Sequence, residues 1–162
     1  MNEFLLFFSF SCVAVLLAAL FVILFRKKKI KNSRNGKKAV EKGNFDHSAE
    51  DVQNFEKLIK LVENEKVFTN PNLTVNELSE YLNLHPKKVS LLINYYSGMN
   101  FHQLINKYRV AESKKLLLDP SYSNLTMQGI AKEAGFNSRS VFNLAFKAEV
   151  GKTPSDFKKQ AV

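Results

Sequence analysis

Residues 73–93 read LTVNELSEYLNLHPKKVSLLI, and residues 125–146 read LTMQGIAKEAGFNSRSVFNLAF. Laid over one another, Leu73-Thr74-Val75, Leu78, Ser79 and Leu84 fall on Leu125-Thr126-Met127, Ile130, Ala131 and Phe136 at an offset of 52. One residue is then inserted, and Val89, Leu92 and Ile93 fall on Phe142, Ala145 and Phe146 at an offset of 53. Within each copy the apolar positions recur three and four residues apart, the stripe of a helix that buries one side. Ser79 and Ala131 are small enough for a close helix crossing, and Asn83 and Gly135 suit a turn that needs φ > 0. Each copy therefore reads as a helix, a tight turn and a second helix.

The flanking residues extend this pattern. Thr74-x-x-Glu77 has the form of a capping box that opens a helix running to about Leu82. Pro86 stands at the first turn of the next helix, and Gly98 is placed to end it, which bounds a first helix-turn-helix at 73–98. Between the copies, Phe101 to Leu118 is amphipathic through Leu104, Ile105, Tyr108, Ala111, Leu116 and Leu117, and it closes at Asp119-Pro120. The second helix-turn-helix follows at 125–149. Upstream, Phe55, Leu58, Ile59 and Val62 mark another helix, broken by Asn70-Pro71-Asn72. The spacing thus predicts an all-α domain over 53–162.

Ahead of that domain, the 22 residues from Phe4 to Phe25 carry no charge, and as a helix they cross a hydrocarbon core of about 30 Å. A cleaved signal peptide would need a positive n-region and a shorter apolar core, whereas this chain starts Met1-Asn2-Glu3. We therefore expect a single transmembrane helix within 1–25. Arg26-Lys27-Lys28-Lys29-Ile30-Lys31, with Arg34, Lys37, Lys38 and Lys42, forms a basic collar that the positive-inside rule keeps in the cytoplasm. We therefore expect the protein in the inner membrane, N-terminus out and C-terminal domain in the cytoplasm, and expect no outside domain to receive a signal. The collar also suits anionic lipid headgroups or, as an auxiliary arm, DNA phosphates. Ala14 and Ala18 form a small-xxx-small pair that suits packing of two spans into a homodimer. Residues 26–52, with Asn35-Gly36 and Gly43-Asn44, read as a solvated linker whose coil reach is roughly 30 Å.

The 162 residues are 45% hydrophobic and 24% charged, a globular balance, and their net charge of +9 invites an anionic partner. Residues 26–42 alone carry nine Lys and Arg against Glu41. The domain divides in turn: 43–80 has three basic and eight acidic residues, whereas 81–162 has twelve basic and five acidic. A lone Cys12 excludes an intrachain disulfide, and His47, His85 and His102 are not spaced for a metal. No glycine-rich phosphate loop, nucleophile elbow or paired carboxylates stand out, so we expect no enzyme, no cofactor, no metal and no small-molecule substrate.

Gly135-Phe136-Asn137-Ser138-Arg139-Ser140-Val141-Phe142, Phe146-Lys147 and Gly151-Lys152-Thr153-Pro154-Ser155-Asp156-Phe157 resemble the C-terminal signature of AraC/XylS-type transcription regulators. Tyr108-Arg109-Val110-x-x-Ser113-x-x-Leu116-Leu117 fits the family's connecting helix, and the wording is similar to membrane-anchored members of Bacteroidetes-type bacteria. Those members usually carry a larger sensor, and we expect none ahead of the domain here. The resemblance implies seven helices, with two helix-turn-helix units on a rigid linker helix at 101–118. Each unit would place a recognition helix, Pro86–Ser97 or Ser138–Glu149, in the major groove of double-stranded DNA.

Outward positions on the first of these helices are Lys87, Lys88, Ser90, Leu91 and Asn94, and on the second Arg139, Ser140, Asn143, Leu144 and Lys147. By residue type, Arg139 suits a guanine edge, and Asn94 and Asn143 suit adenine or phosphate. Lys87, Lys88 and Lys147 suit phosphates or guanine. Leu91 and Leu144 depart from this pattern, since the family often has a basic residue where Leu144 stands. A leucine touches a thymine methyl and binds neither phosphate nor guanine. These two leucines, with the weak net charge of 43–162, define the competing reading, a membrane scaffold whose helix-turn-helix domain packs against protein.

Overall fold

The structure is a computed structural model that describes residues 48–161. The expected transmembrane helix, the basic collar, the Ala14/Ala18 pair, Cys12 and His47 lie outside the described residues. Among the described residues no helix is long and apolar enough to cross a membrane. Seven α-helices are described: α1 (Ala49–Asn64), α2 (Val75–Tyr81), α3 (Pro86–Ser97), α4 (Phe101–Leu118), α5 (Met127–Glu133), α6 (Arg139–Val150) and α7 (Pro154–Ala161). Short 3-10 turns at Val67–Thr69 and Pro120–Tyr122 lead into the two helix-turn-helix units.

The local signals act as their chemistry requires. Thr74 Oγ1 accepts from the Glu77 amide at 3.1 Å while Glu77 Oε2 accepts from the Thr74 amide at 2.7 Å, so both halves of the capping box are present. Asn100 and Gln103 make a second box at the start of α4, with amide contacts of 2.9 and 3.0 Å. Asn83 and Gly135 adopt φ of 52° and 90° in the two turns. The spacing misplaces one boundary. α1 begins at Ala49, inside the stretch read as linker, because Ser48 caps it and Glu50 and Asp51 suit the positive end of the helix dipole.

Two cores form, one along the first half of α4 and one along its second half. The first gathers Leu58, Val62, Phe68, Leu73, Leu78, Val89, Ile93, Phe101, Leu104 and Ile105. The second gathers Val110, Leu116, Leu117, Ile130, Ala131, Ala134, Phe136, Phe142 and Phe146. It is more aromatic, and Phe136, Phe142, Phe146 and Phe157 form a run of ring contacts at 5.1, 5.6 and 5.5 Å between centroids. Ala111, expected on the buried stripe of α4, faces solvent instead. Arg109 is buried in its turn, and the helix changes the core it serves between Ile105 and Val110.

Arg109 stands at that change, only 8% exposed. Its Nε donates to the Phe68 carbonyl at 2.7 Å and its Nη2 to the Asn70 carbonyl at 2.8 Å. The guanidinium also lies 5.8 Å from the centre of the Phe136 ring. Burial holds it below the usual arginine range, yet an arginine remains cationic at working pH. Gly135 completes the junction. A Cβ there would stand 2.5 Å from the Phe68 carbonyl oxygen, and its φ of +90° is one that side-chain-bearing residues rarely adopt. Asn137 Nδ2 donates to the Pro71 carbonyl at 2.8 Å. The segment Phe68–Pro71 is thereby tied both to α4 and to the turn of the second unit.

Replacing Arg109 with Met leaves the carbonyls of Phe68 and Asn70 without their charged donor, and urea unfolding of the full chain should show a loss of about 2–4 kcal/mol. A loss under about 0.5 kcal/mol would mean that these bonds contribute nothing beyond packing.

Candidate nucleic-acid interface

The second helix of each unit is built to the same plan. α3 starts at His85, whose Nδ1 accepts from the Lys87 amide at 3.2 Å, with Pro86 at the first helical position. α6 starts at Ser138, whose Oγ accepts from the Val141 amide at 3.2 Å. Both run for 12 residues and end at a left-handed glycine, Gly98 with φ 67° and Gly151 with φ 83°. Val89, Leu92 and Ile93 bury one side of α3, and Phe142 and Phe146 bury the matching side of α6. The opposite sides are turned away from the cores. α4 packs against both helices, so one element carries both exposed faces.

The ten residues expected on those faces are distributed as follows. Lys87, Ser90, Leu91 and Asn94 are exposed on α3, and Arg139, Ser140, Leu144 and Lys147 are exposed on α6, with Asn143 half-buried. Among the described residues, Lys87, Arg139 and Lys147 form no ion pair. Their charges are available to an anion.

Lys88 differs. Its Nζ lies 2.5 Å from Asp51 Oδ1, and the Asp51 side chain is only 2% exposed. A carboxylate so far from water needs a cation, so Lys88 ties α3 to the first turn of α1 and has a structural role that its place on the helix did not reveal. The counterpart of Lys88 at the offset of 53 is Val141, which is exposed on α6 beside Leu144. Val141 and Tyr95 also lie on the exposed faces and were missed, although the register of the repeat already placed Val141 there. Phe136, Phe142 and Phe146 are buried and are no platform for base stacking. His85 acts as a helix cap. Among the described residues no group of His, Cys, Asp or Glu is placed to hold a metal ion.

The chain matches the family profile of a helix-turn-helix domain over residues 78–160. An uncharacterised HTH-type transcriptional regulator of Staphylococcus aureus is 28% identical over 112 residues, covering 69% of this chain and 15% of the relative. The chain thus spans about one seventh of the length of the curated relatives it matches first. Among solved structures, the C-terminal domain of AraT, a response regulator from Geobacillus stearothermophilus, is 26% identical, with a TM-score of 0.55 over 70% of this chain and 86% of that one. The DNA-binding domain of the global transcriptional factor AdpA, solved with a target DNA, shares the fold at 15% identity and a TM-score of 0.56, over 65% of this chain and 90% of that one. This relative and both of these structures are named as regulators or transcription factors.

The Lys88 pair makes a direct forecast for stability. Lys88→Ala strands the buried Asp51 carboxylate and should cost about 1–3 kcal/mol in urea unfolding, reduced from a fully buried pair because the lysine is partly exposed. Lys87→Ala, one residue away on the exposed face, should stay within about 0.5 kcal/mol of the parent. Equal costs would remove the distinction between the two lysines.

Proposed function

Because this chain belongs to the AraC-type helix-turn-helix family, we propose that it is a sequence-specific transcription regulator that reads duplex DNA through α3 and α6 and is held at the membrane by residues 4–25. The observation that carries the reading is the repetition of one exposed, polar and partly basic face on two helices of equal length mounted on α4. Two such helices suit two major-groove segments about one turn, roughly 34 Å, apart. The target-bound AdpA domain, which shares this fold, supports the same use here.

The residues divide by chemistry. Arg139, at the start of α6, presents a planar fork that fits guanine O6 and N7. Asn94 and Asn143 offer the paired donor and acceptor that fit adenine, and Ser90 and Ser140 add hydrogen bonds to base edges or phosphate. Lys87 and Lys147 anchor phosphates and set orientation. Lys88, already paired with Asp51, contributes field more than direct contact.

The tether follows from the sequence. Residues 4–25 cross the inner membrane once with the N-terminus outside, and the collar at 26–42 holds the domain on the cytoplasmic side against anionic headgroups. Close packing at Ala14 and Ala18 makes a homodimer with four recognition helices. Operator DNA is then captured at the membrane by the tethered domain, or away from it after proteolytic release.

Selection of a random duplex pool by the full chain in detergent should enrich two boxes about one helical turn apart, with affinity falling steeply as salt rises. Arg139→Ala should flatten the preference at one base by about 1–3 kcal/mol, while Lys147→Ala should weaken all sequences alike and lower the salt slope by about one. Unchanged preference in Arg139→Ala would remove it from the base-reading set. Carbonate extraction of the full chain should leave it in the membrane pellet, and recovery in the wash would overturn the tether.

A further inference from the structure

Leu91 and Leu144 occupy the same position in the two recognition helices, 53 residues apart. Both side chains point away from the cores: Leu91 is 38% exposed and Leu144 is 75% exposed. Each is surrounded by the same kind of neighbours. Ser90 and Asn94 flank Leu91 at one and three residues' distance, and Asn143 and Lys147 flank Leu144 at the same distances. Each face therefore presents a small apolar pair, Leu91 with Tyr95 on α3 and Leu144 with Val141 on α6, set among hydrogen-bonding and basic side chains.

Resting on the DNA-binding reading above, we propose that Leu91 and Leu144 each read the C5 methyl group of a thymine, so that the two boxes of the operator carry a thymine at the equivalent position. The major groove offers one apolar feature among its donors and acceptors, and that feature is the thymine methyl. A leucine there gains nothing from phosphate and cannot satisfy a guanine or adenine edge, while the polar frame supplies the hydrogen bonds that a wholly apolar face would lack. The frame also decides between partners. The core of a protein-docking patch is depleted of charged side chains, whereas here amide, hydroxyl and ammonium groups lie directly beside each leucine. Val141, one turn before Leu144, extends the apolar contact on α6, whereas α3 has Lys88 there. The thymine preference should accordingly be the stronger in the box read by α6.

The test replaces each thymine of the selected duplex, one at a time, by deoxyuridine, which deletes the methyl and leaves every hydrogen-bonding group in place. With the full chain in detergent, one position per box should lose about fourfold in affinity, the effect of exposing roughly one buried methyl-sized group. Leu144→Ala should lose most of its discrimination between thymine and deoxyuridine at the α6 box while keeping it at the other, and Leu91→Ala should do the reverse. Thermal unfolding confirms that both variants fold. Deoxyuridine tolerated at every position, or discrimination that survives in both variants, overturns the proposal while leaving DNA binding intact. If the full chain enriches no duplex at all, the DNA-binding reading fails first and the leucines become a protein-facing surface.

Discussion

Two half-domains, each with its own core, meet on one helix, and the constraint that fixes how they meet is the buried guanidinium of Arg109. It sits on α4 where the helix passes from the aliphatic core to the aromatic one. From there it holds two carbonyls of the segment that leads into the first unit and lies over Phe136 at the turn of the second. A hydrophobic contact at the same place would give attraction without direction. Charged hydrogen bonds to fixed carbonyls restrict orientation as well as distance, so the exposed faces of α3 and α6 are held in a set relation. Gly135 belongs to the same constraint, because the close approach of the Phe68 carbonyl leaves no room for a side chain.

The two units share a plan without sharing materials. The first fills its core with Leu78, Val89 and Ile93, the second with Ile130, Phe136, Phe142 and Phe146. The second core is built of larger rings, and a single inserted residue shifts the offset between the copies from 52 to 53. Caps differ as well. A capping box opens α2, whereas α5 has Thr126 alone, because Gly129 stands where Glu77 does in the first copy. What is preserved is that each second helix buries its apolar side in its own core and turns the opposite side outward.

Periodicity made the helices, their caps and most of the core readable in advance, since each depends on residues close in sequence. Thr74 with Glu77, Pro86, Gly98 and the whole extent of α4 are of this kind. The outward faces of α3 and α6 were legible for the same reason, as they are what remains once the apolar stripe is removed. What stayed hidden depends on pairs distant in the chain. Arg109 looks like a solvated residue on an amphipathic helix until the carbonyls of Phe68 and Asn70 are brought to it, and Ala111 then takes the solvent side. Lys88 looks like a phosphate anchor until Asp51, from a turn read as linker, is found buried against it. No local pattern marks either partner.

This division also explains the charge asymmetry of the domain. Acidic residues outnumber basic ones over 43–80, and several of them are engaged inside the fold. Asp51 neutralises Lys88, Glu77 closes a helix cap, and Glu63 accepts from the Tyr108 hydroxyl, which its neighbourhood and burial keep protonated well above the ordinary tyrosine range. Glu112, from the basic half, is held below the usual carboxylate range chiefly by its hydrogen bond from Lys66. Carboxylates turned to such uses cluster on α1, α2 and α4, away from the outward sides of α3 and α6. Lys87, Arg139 and Lys147 are left there with no acidic partner among the described residues. The small net charge of the domain therefore understates the field its two exposed helices present, because in a binding face the placement of charge decides more than the sum.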